Sequence, residues 1–68
     1  MHPIEYIRKN LFSVTQDEFA AIARTTQATV SRWESGRLHP DRGEMELIRA
    51  EAGERGIPWN DRWFFEVP

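Results

Sequence analysis

Residues 15–33 read TQDEFAAIARTTQATVSRW, and this stretch decides the fold. Thr15 stands three residues before Glu18, the spacing of a capping box, in which hydroxyl and carboxylate each satisfy a free backbone amide at the start of a helix. The helix predicted from this point carries a group of apolar residues, namely Phe19, Ala20, Ile22 and Ala23.

A second helix is predicted after a three-residue connector that ends at Thr26. Thr26 is a suitable N-cap, so we expect the helix to begin at Gln27. Its apolar positions are Val30 and Trp33, and Gly36 stands where a left-handed residue commonly ends a helix. Two short helices joined in this way form a helix-turn-helix. Five small or apolar side chains are expected to pack across the crossing: Phe19, Ala20, Ala23, Val30 and Trp33.

The opposite face of the second helix carries side chains that suit the edges of bases. Glutamine can pair with adenine, arginine can pair with guanine, and the methyl groups of alanine or threonine can contact the thymine methyl. This pattern favours a base-contacting role for Gln27, Ala28, Thr29, Ser31 and Arg32.

Two further helices are predicted around this pair. Pro3 opens the first, whose apolar residues are Ile4, Ile7 and Leu11. Asp41 and Glu44 provide the N-terminal pairing of the last, and Gly53 and Gly56 are expected to end it. Its inner stripe consists of Met45, Ile48 and Ala52, with Leu47 beside them. The predicted fold is therefore all-α, with four to five helices around one core.

The C-terminal residues 57–68 are rich in aromatic side chains. Alternation from Trp63 to Val67 favours a short β-strand, although Trp59 and Trp63 are also spaced as helix neighbours. We interpret residues 1–56 as a helix-turn-helix domain and residues 57–68 as a tail. The tail either closes the core or forms a dimer surface. We expect the dimer surface, formed by Trp59, Trp63, Phe64 and Phe65.

Length and composition exclude several classes of protein. A chain of 68 residues builds one domain of modest stability, which self-association would increase. With no cysteine, disulfides and thiolate zinc sites are ruled out, and a reducing cytoplasm is the expected location. The sequence contains neither an apolar run of about 20 residues nor the pattern of a signal peptide. We therefore predict a cytoplasmic protein without a membrane partner.

The net charge of −2 is unevenly distributed. Residues 1–42 contain six basic and five acidic residues, whereas residues 43–68 contain three basic and six acidic residues. A folded chain with this polarity can present one basic and one acidic face. The distribution is compatible with a nucleic-acid partner despite the acidic total.

No set of residues predicts catalysis or metal binding. His2 and His39 are distant in sequence and lack a third ligand, so we expect both to be solvated. The carboxylates after Gly43 are expected to form a solvated helix face. We therefore predict no enzyme activity, cofactor, metal or small-molecule ligand. For Arg8 and Lys9, phosphate contact and simple exposure are both open.

Residues 14–20 and 26–37 resemble the Cro/C1-type (Xre-type) helix-turn-helix family. The recurrent pattern of that family reads L-T-Q-x-E-L-A and then S-x-x-T-I-S-x-x-E-x-G. The first part is matched here by Val14, Thr15, Gln16, Glu18, Phe19 and Ala20. The second part is matched by Thr26, Thr29, Val30, Ser31, Glu34 and Gly36. Pro40 falls where such proteins often have a proline before the fourth helix.

The resemblance implies a lambda-repressor-like fold and a role for each matching position. Gln27, Ala28 and Arg32 would enter the major groove, with Thr29 and Ser31 shared between bases and backbone. Phosphate contacts would come from Gln16, Thr26 and Arg37, and Glu34 would be structural. One departure is Arg24, which occupies a turn position where the family usually has a glycine with positive φ. Two outcomes are open: the turn adopts a neighbouring conformation, or a nearby carboxylate such as Glu5 compensates for the cost.

Together these observations predict a sequence-specific, double-stranded DNA-binding regulator. A small dimeric repressor is expected to bind an inverted-repeat operator, as in phage Cro-like repressors or operon autoregulators, because occupancy alone suffices without an effector domain. The alternative is a protein-interaction adaptor that uses the aromatic tail and the acidic last helix on a helix-turn-helix scaffold.

Overall fold

The computed structural model describes all residues from 1 to 68 and contains four helices followed by a 3₁₀ turn. Helix α1 is α-helical over Pro3–Tyr6 and π-helical over Ile7–Phe12. Helices α2, α3 and α4 span Gln16–Ala23, Gln27–Glu34 and Arg42–Glu54. The C-terminal 3₁₀ turn spans Asp61–Phe64. The all-α prediction is confirmed. None of these helices combines the length and apolar character needed to cross a membrane.

A single core of 11 buried apolar residues holds the elements together. All five residues that were predicted to pack across the α2–α3 crossing belong to it, and Trp33 is its largest fully buried side chain. Helix α1 contributes Ile4, Ile7 and Phe12, and α4 contributes Ile48 and Ala52. The core therefore lies beneath the helix-turn-helix and packs against one side of α3, while the opposite side stays at the surface.

Local hydrogen bonds set the start of each helix where the sequence predicted it. The Thr15 hydroxyl accepts from the amide of Glu18 at 3.1 Å, and the Glu18 carboxylate accepts from the amide of Thr15 at 2.9 Å. Asp41 and Glu44 form the same reciprocal pair at α4, with both distances 2.8 Å. At α2, hydrogen bonds from the backbone amide and the hydroxyl group of Thr15 to the Glu18 carboxylate lower the pKa of Glu18. The two capping-box predictions are confirmed.

The predicted C-terminal strand is wrong. A lone strand would leave its backbone amides and carbonyls without partners, because the chain contains no other strand. The 3₁₀ turn satisfies them instead: the amide of Trp63 donates to the carbonyl of Asn60 at 3.0 Å, and the Asn60 side chain accepts from the amide of Arg62 at 2.9 Å. Turning also brings Trp59 and Trp63 onto the same side, with ring centroids 5.8 Å apart.

His2 caps helix α1 and is not simply solvated. Its Nδ1 accepts from the amide of Ile4 at 3.1 Å, which requires that nitrogen to be unprotonated. Burial lowers the pKa of His2 from its ordinary 6.5, and the charges of His39 and the N-terminal amine lower it further, against the opposing effect of Glu34 and Glu5. Protonation of His2 therefore competes with the cap.

We expect the protein to lose stability as the pH falls below about 6.5. The unfolded chain binds a proton at His2 before the folded chain does, so the contribution of the cap is complete above 6.5 and is lost as pH falls through the lower folded pKa. An N-cap contributes about 1 kcal/mol. Urea unfolding followed by circular dichroism between pH 7.5 and 5 measures the loss.

The variant His2→Asn is the matched control, since asparagine caps helices well and does not titrate. It should reduce the pH dependence in this range while retaining the stability measured at pH 7.5. An unchanged slope in the variant would show that another group causes the pH dependence.

Arg24 ends α2 in the left-handed conformation, with φ 55° and ψ 46°. The turn therefore has the positive φ usual for the family and does not adopt a neighbouring conformation. The suggested compensation by Glu5 is wrong, because Glu5 pairs with Lys9 at 2.7 Å and Arg24 takes part in none of the six ion pairs. The turn therefore keeps a non-glycine residue in an unfavourable region without an ion pair to offset it.

Replacing Arg24 with glycine should stabilise the protein by about 0.5–1 kcal/mol. The left-handed conformation costs a non-glycine residue about 1–2 kcal/mol, and the greater unfolded-state freedom of glycine cancels part of that gain. Thermal unfolding should shift upward by several degrees. Arg24→Ala removes the charge but keeps the strain, so an equal gain in that variant would assign the effect to charge and not to φ.

Candidate nucleic-acid interface

Helix α3 is held by its inner face and exposes its outer face. Val30 and Trp33 are buried against α2 and the core. On the other side, Gln27, Ala28, Ser31 and Arg32 are exposed, and Thr29 is half-buried. Base contact requires exposed side chains. Four of the five predicted residues are therefore fully suitable in this respect, and Thr29 is suitable in part.

The exposed residues of α3 border a shallow depression. Two of its lining residues follow the five predicted base-contacting positions in sequence. Its lining consists of Gln27, Ala28, Ser31, Arg32, Ser35 and Arg37. Sequence reasoning missed Ser35, although it stands four residues after Ser31, the spacing that places two side chains on the same helix face. Ser35 Oγ donates to the carbonyl of Arg32 at 3.1 Å.

The two threonines at the start of α3 are engaged with each other. Thr26 Oγ1 accepts from the amide of Thr29 at 3.2 Å, as an N-cap does, and donates to Thr29 Oγ1 at 3.0 Å. Both the N-cap role of Thr26 and the start of the helix at Gln27 are confirmed. The methyl group of Thr29 thus remains the part of this side chain suited to apolar contact.

A chain of side-chain hydrogen bonds links the N-terminal ends of α2 and α3. Gln27 Nε2 donates to Gln16 Oε1 at 2.5 Å, and Gln16 Nε2 donates to Glu34 Oε1 at 3.1 Å. Each amide nitrogen carries a second hydrogen. Gln16 therefore keeps one N–H that makes none of these hydrogen bonds. Gln27 keeps its carbonyl oxygen and one N–H.

The same Glu34 carboxylate is paired with Arg8 of helix α1. Arg8 Nε donates to Glu34 Oε2 at 2.5 Å and Arg8 Nη2 donates to Glu34 Oε1 at 3.0 Å. Arg8 Nη1 also donates to the carbonyl of Val14 at 3.0 Å. The hydrogen bonds from Glu34 raise the pKa of Arg8 against the opposing effect of burial. Glu34 is thus structural, as the resemblance implied.

Sequence reasoning missed the role of Arg8. It is only 8% exposed, and so neither simple exposure nor phosphate contact describes it. Lys9, by contrast, is exposed and pairs with Glu5. The available signal was the position of Arg8, which follows Ile7 on the apolar side of the first helix. Its partner, however, lies 26 residues away in sequence.

The loop after α3 begins with Gly36 at φ 80°, as predicted for a left-handed residue. This conformation lets the amides of Gly36 and Arg37 donate to the carbonyls of Trp33 at 3.1 Å and Arg32 at 2.9 Å. The Arg37 side chain is exposed directly beside the outer face of α3.

The basic side chains divide into paired and unpaired groups. Six of the nine form ion pairs with carboxylates: Arg8, Lys9, Arg42, Arg49, Arg55 and Arg62. The three that form none are Arg24, Arg32 and Arg37, and all three lie in the turn, the outer face of α3 or the loop that follows. The one acidic residue of α3, Glu34, is turned inward to Arg8. This surface therefore offers uncompensated positive charge although the whole chain is acidic.

The aromatic tail packs largely against the domain. Phe64 is 2% exposed and belongs to the core, while Trp59 and Trp63 are half-buried against it. Trp59 is the centre of this cluster, with ring centroids 5.2 Å from Phe64 and 6.4 Å from Phe12. Only Phe65 is largely exposed. Dimerisation through the four aromatic residues stays a prediction, and three of them are already buried or half-buried within one chain.

Comparison with known proteins agrees with this geometry. The family model HTH_3, described as helix-turn-helix, matches residues 4–56. The chain belongs to this Cro/C1-type helix-turn-helix family. No curated protein and no solved structure matches it. As a member of this family the protein is a DNA-binding transcriptional regulator, and families of this kind are typically not enzymes.

Proposed function

We propose that this helix-turn-helix protein is a dimeric repressor that binds an inverted-repeat operator in double-stranded DNA. The observation that carries the proposal is the position of the three unpaired arginines around the exposed face of α3, since every other basic side chain is neutralised by a carboxylate. Positive charge of this kind binds phosphates and places the helix in the major groove.

Base contacts are proposed for Gln27, Ala28, Thr29, Ser31 and Arg32. The free carbonyl oxygen and N–H of Gln27 match the N6 donor and the N7 acceptor of adenine. Its bond to Gln16 holds the side chain before DNA arrives, which reduces the entropy lost on binding. The Arg32 guanidinium, free of any ion pair, can donate to O6 and N7 of guanine.

Phosphate contacts are proposed for Gln16, Thr26 and Arg37. The second N–H of Gln16 is available at the start of α2, where backbone amides and the helix dipole also favour an anion. Arg37 is exposed at the far end of α3. Contacts at both ends of the recognition helix would set its angle in the groove, whereas the bases between them supply sequence preference.

Repression follows most simply from occupancy. A domain bound over a promoter excludes polymerase by volume alone, whereas activation needs a further surface that contacts polymerase. A regulator of this kind acts inside the cell, where DNA lies, and phage Cro-like repressors and operon autoregulators are the settings that we propose.

Selection of bound duplexes from a random DNA pool tests the proposal directly. We expect an enriched inverted repeat with half-sites about one helical turn apart, and an affinity that falls steeply with salt. Lys9→Ala is a suitable control, because Lys9 is paired with Glu5 on the first helix, away from α3 and from the aromatic tail in sequence. Recovery of no enriched sequence would contradict sequence-specific binding.

The second candidate, a protein-interaction adaptor, is favoured by the exposed side chains of Leu38, Phe65 and Val67. Salt dependence separates the two candidates. An interaction dominated by apolar burial keeps its affinity as salt rises, whereas binding through arginine–phosphate contacts weakens.

A further inference from the structure

The Glu34 carboxylate is the inner end of a hydrogen-bonded chain whose outer end lies on the exposed face of α3. Its Oε1 accepts from Arg8 Nη2 at 3.0 Å and from Gln16 Nε2 at 3.1 Å, and its Oε2 accepts from Arg8 Nε at 2.5 Å. The side chains of Arg8 and Glu34 are only 10% and 9% exposed. From this buried pair the chain runs through Gln16 to the exposed Gln27.

The direction of each hydrogen bond in this chain follows from the carboxylate. An ionised carboxylate only accepts hydrogen bonds, whereas a glutamine amide can present either its oxygen or its nitrogen to a neighbour. Gln16 must therefore turn its nitrogen toward Glu34, which leaves its oxygen facing Gln27. Gln27 must in turn present its nitrogen, and its Nε2 donates to Gln16 Oε1 at 2.5 Å.

The groups that Gln27 offers to a base depend on the same chain. With its nitrogen bonded to Gln16, Gln27 keeps its oxygen and one N–H free, so it can accept from N6 of adenine and donate to N7. In the reversed orientation its oxygen would be engaged and both N–H groups would be free. Two donors suit guanine, which has acceptors at O6 and N7. The orientation of one amide therefore distinguishes the two purines.

We propose that Glu34, held by Arg8, is a positioning residue that selects adenine over guanine at the base contacted by Gln27. The proposal rests on the function proposed above and deepens it, because it assigns the base preference of an exposed side chain to a buried ion pair. Gln16 transmits the orientation and does not determine it, since its amide can face either way. Glu34 needs no contact with DNA for this effect.

Glu34→Gln tests the proposal because it replaces one oxygen by nitrogen at nearly constant shape. The bond from Arg8 Nε should keep the remaining oxygen in the place of Oε2, so that the new amino group faces Gln16. Both glutamines should then reverse, while Gln16 still has an N–H for a phosphate. We expect the preference for adenine over guanine, about 10-fold in the wild type for a paired base contact, to be lost or inverted.

Arg8→Lys is the matched control. Lysine weakens the ion pair because it lacks the two-pronged geometry of arginine, but the carboxylate of Glu34 stays in place. This variant should lose stability, as Glu34→Gln does, and yet keep the adenine preference. The preference is a ratio of two affinities of one protein, so an unfolded fraction reduces both equally and cancels. Titration of the selected operator and of its adenine-to-guanine variant measures the ratio.

Gln16→Met provides a second variant, which interrupts the chain without altering the ion pair. Gln27 is then free to turn either way, so the adenine preference should fall towards equality while the free energy of unfolding stays close to that of the wild type. A loss of preference at unchanged stability separates positioning from a general loosening of the fold.

The hydrogen bonds themselves can be followed without DNA. In isotopically labelled protein, nuclear magnetic resonance detects scalar couplings across a hydrogen bond between the donor nitrogen and the acceptor carbonyl carbon. We expect coupling from Gln27 Nε2 to the side-chain carbonyl of Gln16 in the wild type and in Arg8→Lys. In Glu34→Gln the coupling should run from Gln16 Nε2 to the side-chain carbonyl of Gln27.

The outcomes distinguish failure of this proposal from failure of the function. An unchanged adenine preference in Glu34→Gln, at a position whose preference is lost in Gln27→Ala, would overturn the proposal and leave the function intact. An equal loss of preference in Arg8→Lys would overturn it too, because loosened packing would explain both variants. If the wild type binds no DNA sequence preferentially, the proposed function is wrong and the base-selecting role of Glu34 falls with it, whereas the couplings still show whether Glu34 orients the glutamines.

Discussion

Replacing Arg8 by alanine is expected to lower the free energy of unfolding by about 3 kcal/mol or more. The substitution leaves the Glu34 carboxylate, whose side chain is 9% exposed, with Gln16 as its only remaining hydrogen-bond partner. A buried charge that loses its partner costs far more than the pair contributed, since the desolvation penalty remains. The carbonyl of Val14 loses a donor as well.

A loss of this size is a large part of the total stability of such a small domain, which is roughly 3–10 kcal/mol for a chain of this length. Urea unfolding monitored by tryptophan fluorescence or circular dichroism measures it, and the unfolding midpoint of Arg8→Ala should lie at a much lower urea concentration than that of the wild type. Lys9→Ala is the matched control, because the exposed Lys9–Glu5 pair contributes at most about 1 kcal/mol.

The double variant Arg8→Met with Glu34→Leu distinguishes a stranded charge from lost packing. With both charges removed, most of the stability should return, whereas DNA affinity should be lower than that of the wild type because Gln16 has lost the carboxylate that orients it. Equal instability in the double variant would mean that shape, and not the isolated charge, causes the loss in Arg8→Ala.

The second large effect is expected for Arg32→Ala in DNA binding. The Arg32 side chain is exposed on α3, is unpaired, and borders the depression in the outer face. Loss of a paired contact to guanine should cost about 1–3 kcal/mol and relax the preference at one position of each half-site. Titration of the selected operator and its single-base variants measures both.

Arg37→Ala is the matched comparison for Arg32→Ala, because it separates the loss of a phosphate contact from the loss of a base contact. As a phosphate contact, Arg37 should weaken binding to all sequences about equally and reduce the salt slope by about 1 per copy. A uniform loss for Arg32→Ala as well would reassign Arg32 to the phosphates. Neither arginine contributes to the core, so neither variant should change the free energy of unfolding appreciably.

Most of the helix-turn-helix could be predicted because its determinants are local. The capping boxes at Thr15 and Asp41 and the left-handed Gly36 act within a few residues of chain. The inward face of α3 follows from the three-residue spacing of Val30 and Trp33. Since exposure of the opposite face follows from the same periodicity, the candidate base-contacting residues could be proposed from sequence.

The outcome for the tail shows where local patterns failed. Residues 63–67 alternate well enough for a strand, yet Trp63 and Phe64 lie in the 3₁₀ turn Asp61–Phe64, because no second strand is present and because Trp59 packs against Phe12. The ion pair between Arg49 and Asp61 adds a tie to α4. These partners are 12 or more residues away in sequence, so no short window contains them.

The amino-acid sequence by itself determined the four helices, their starting points and the exposed side of α3, since capping and periodicity act over one or two turns. Only the tertiary structure decided that Arg8 is buried against Glu34, that Gln16 and Gln27 are joined to that pair, and that Phe64 is buried while Phe65 is exposed. Those outcomes depend on residues that folding brings together from distant parts of the chain. Burial sets the free-energy cost of leaving a charge or an aromatic ring without a neighbour, and burial is a property of the whole fold.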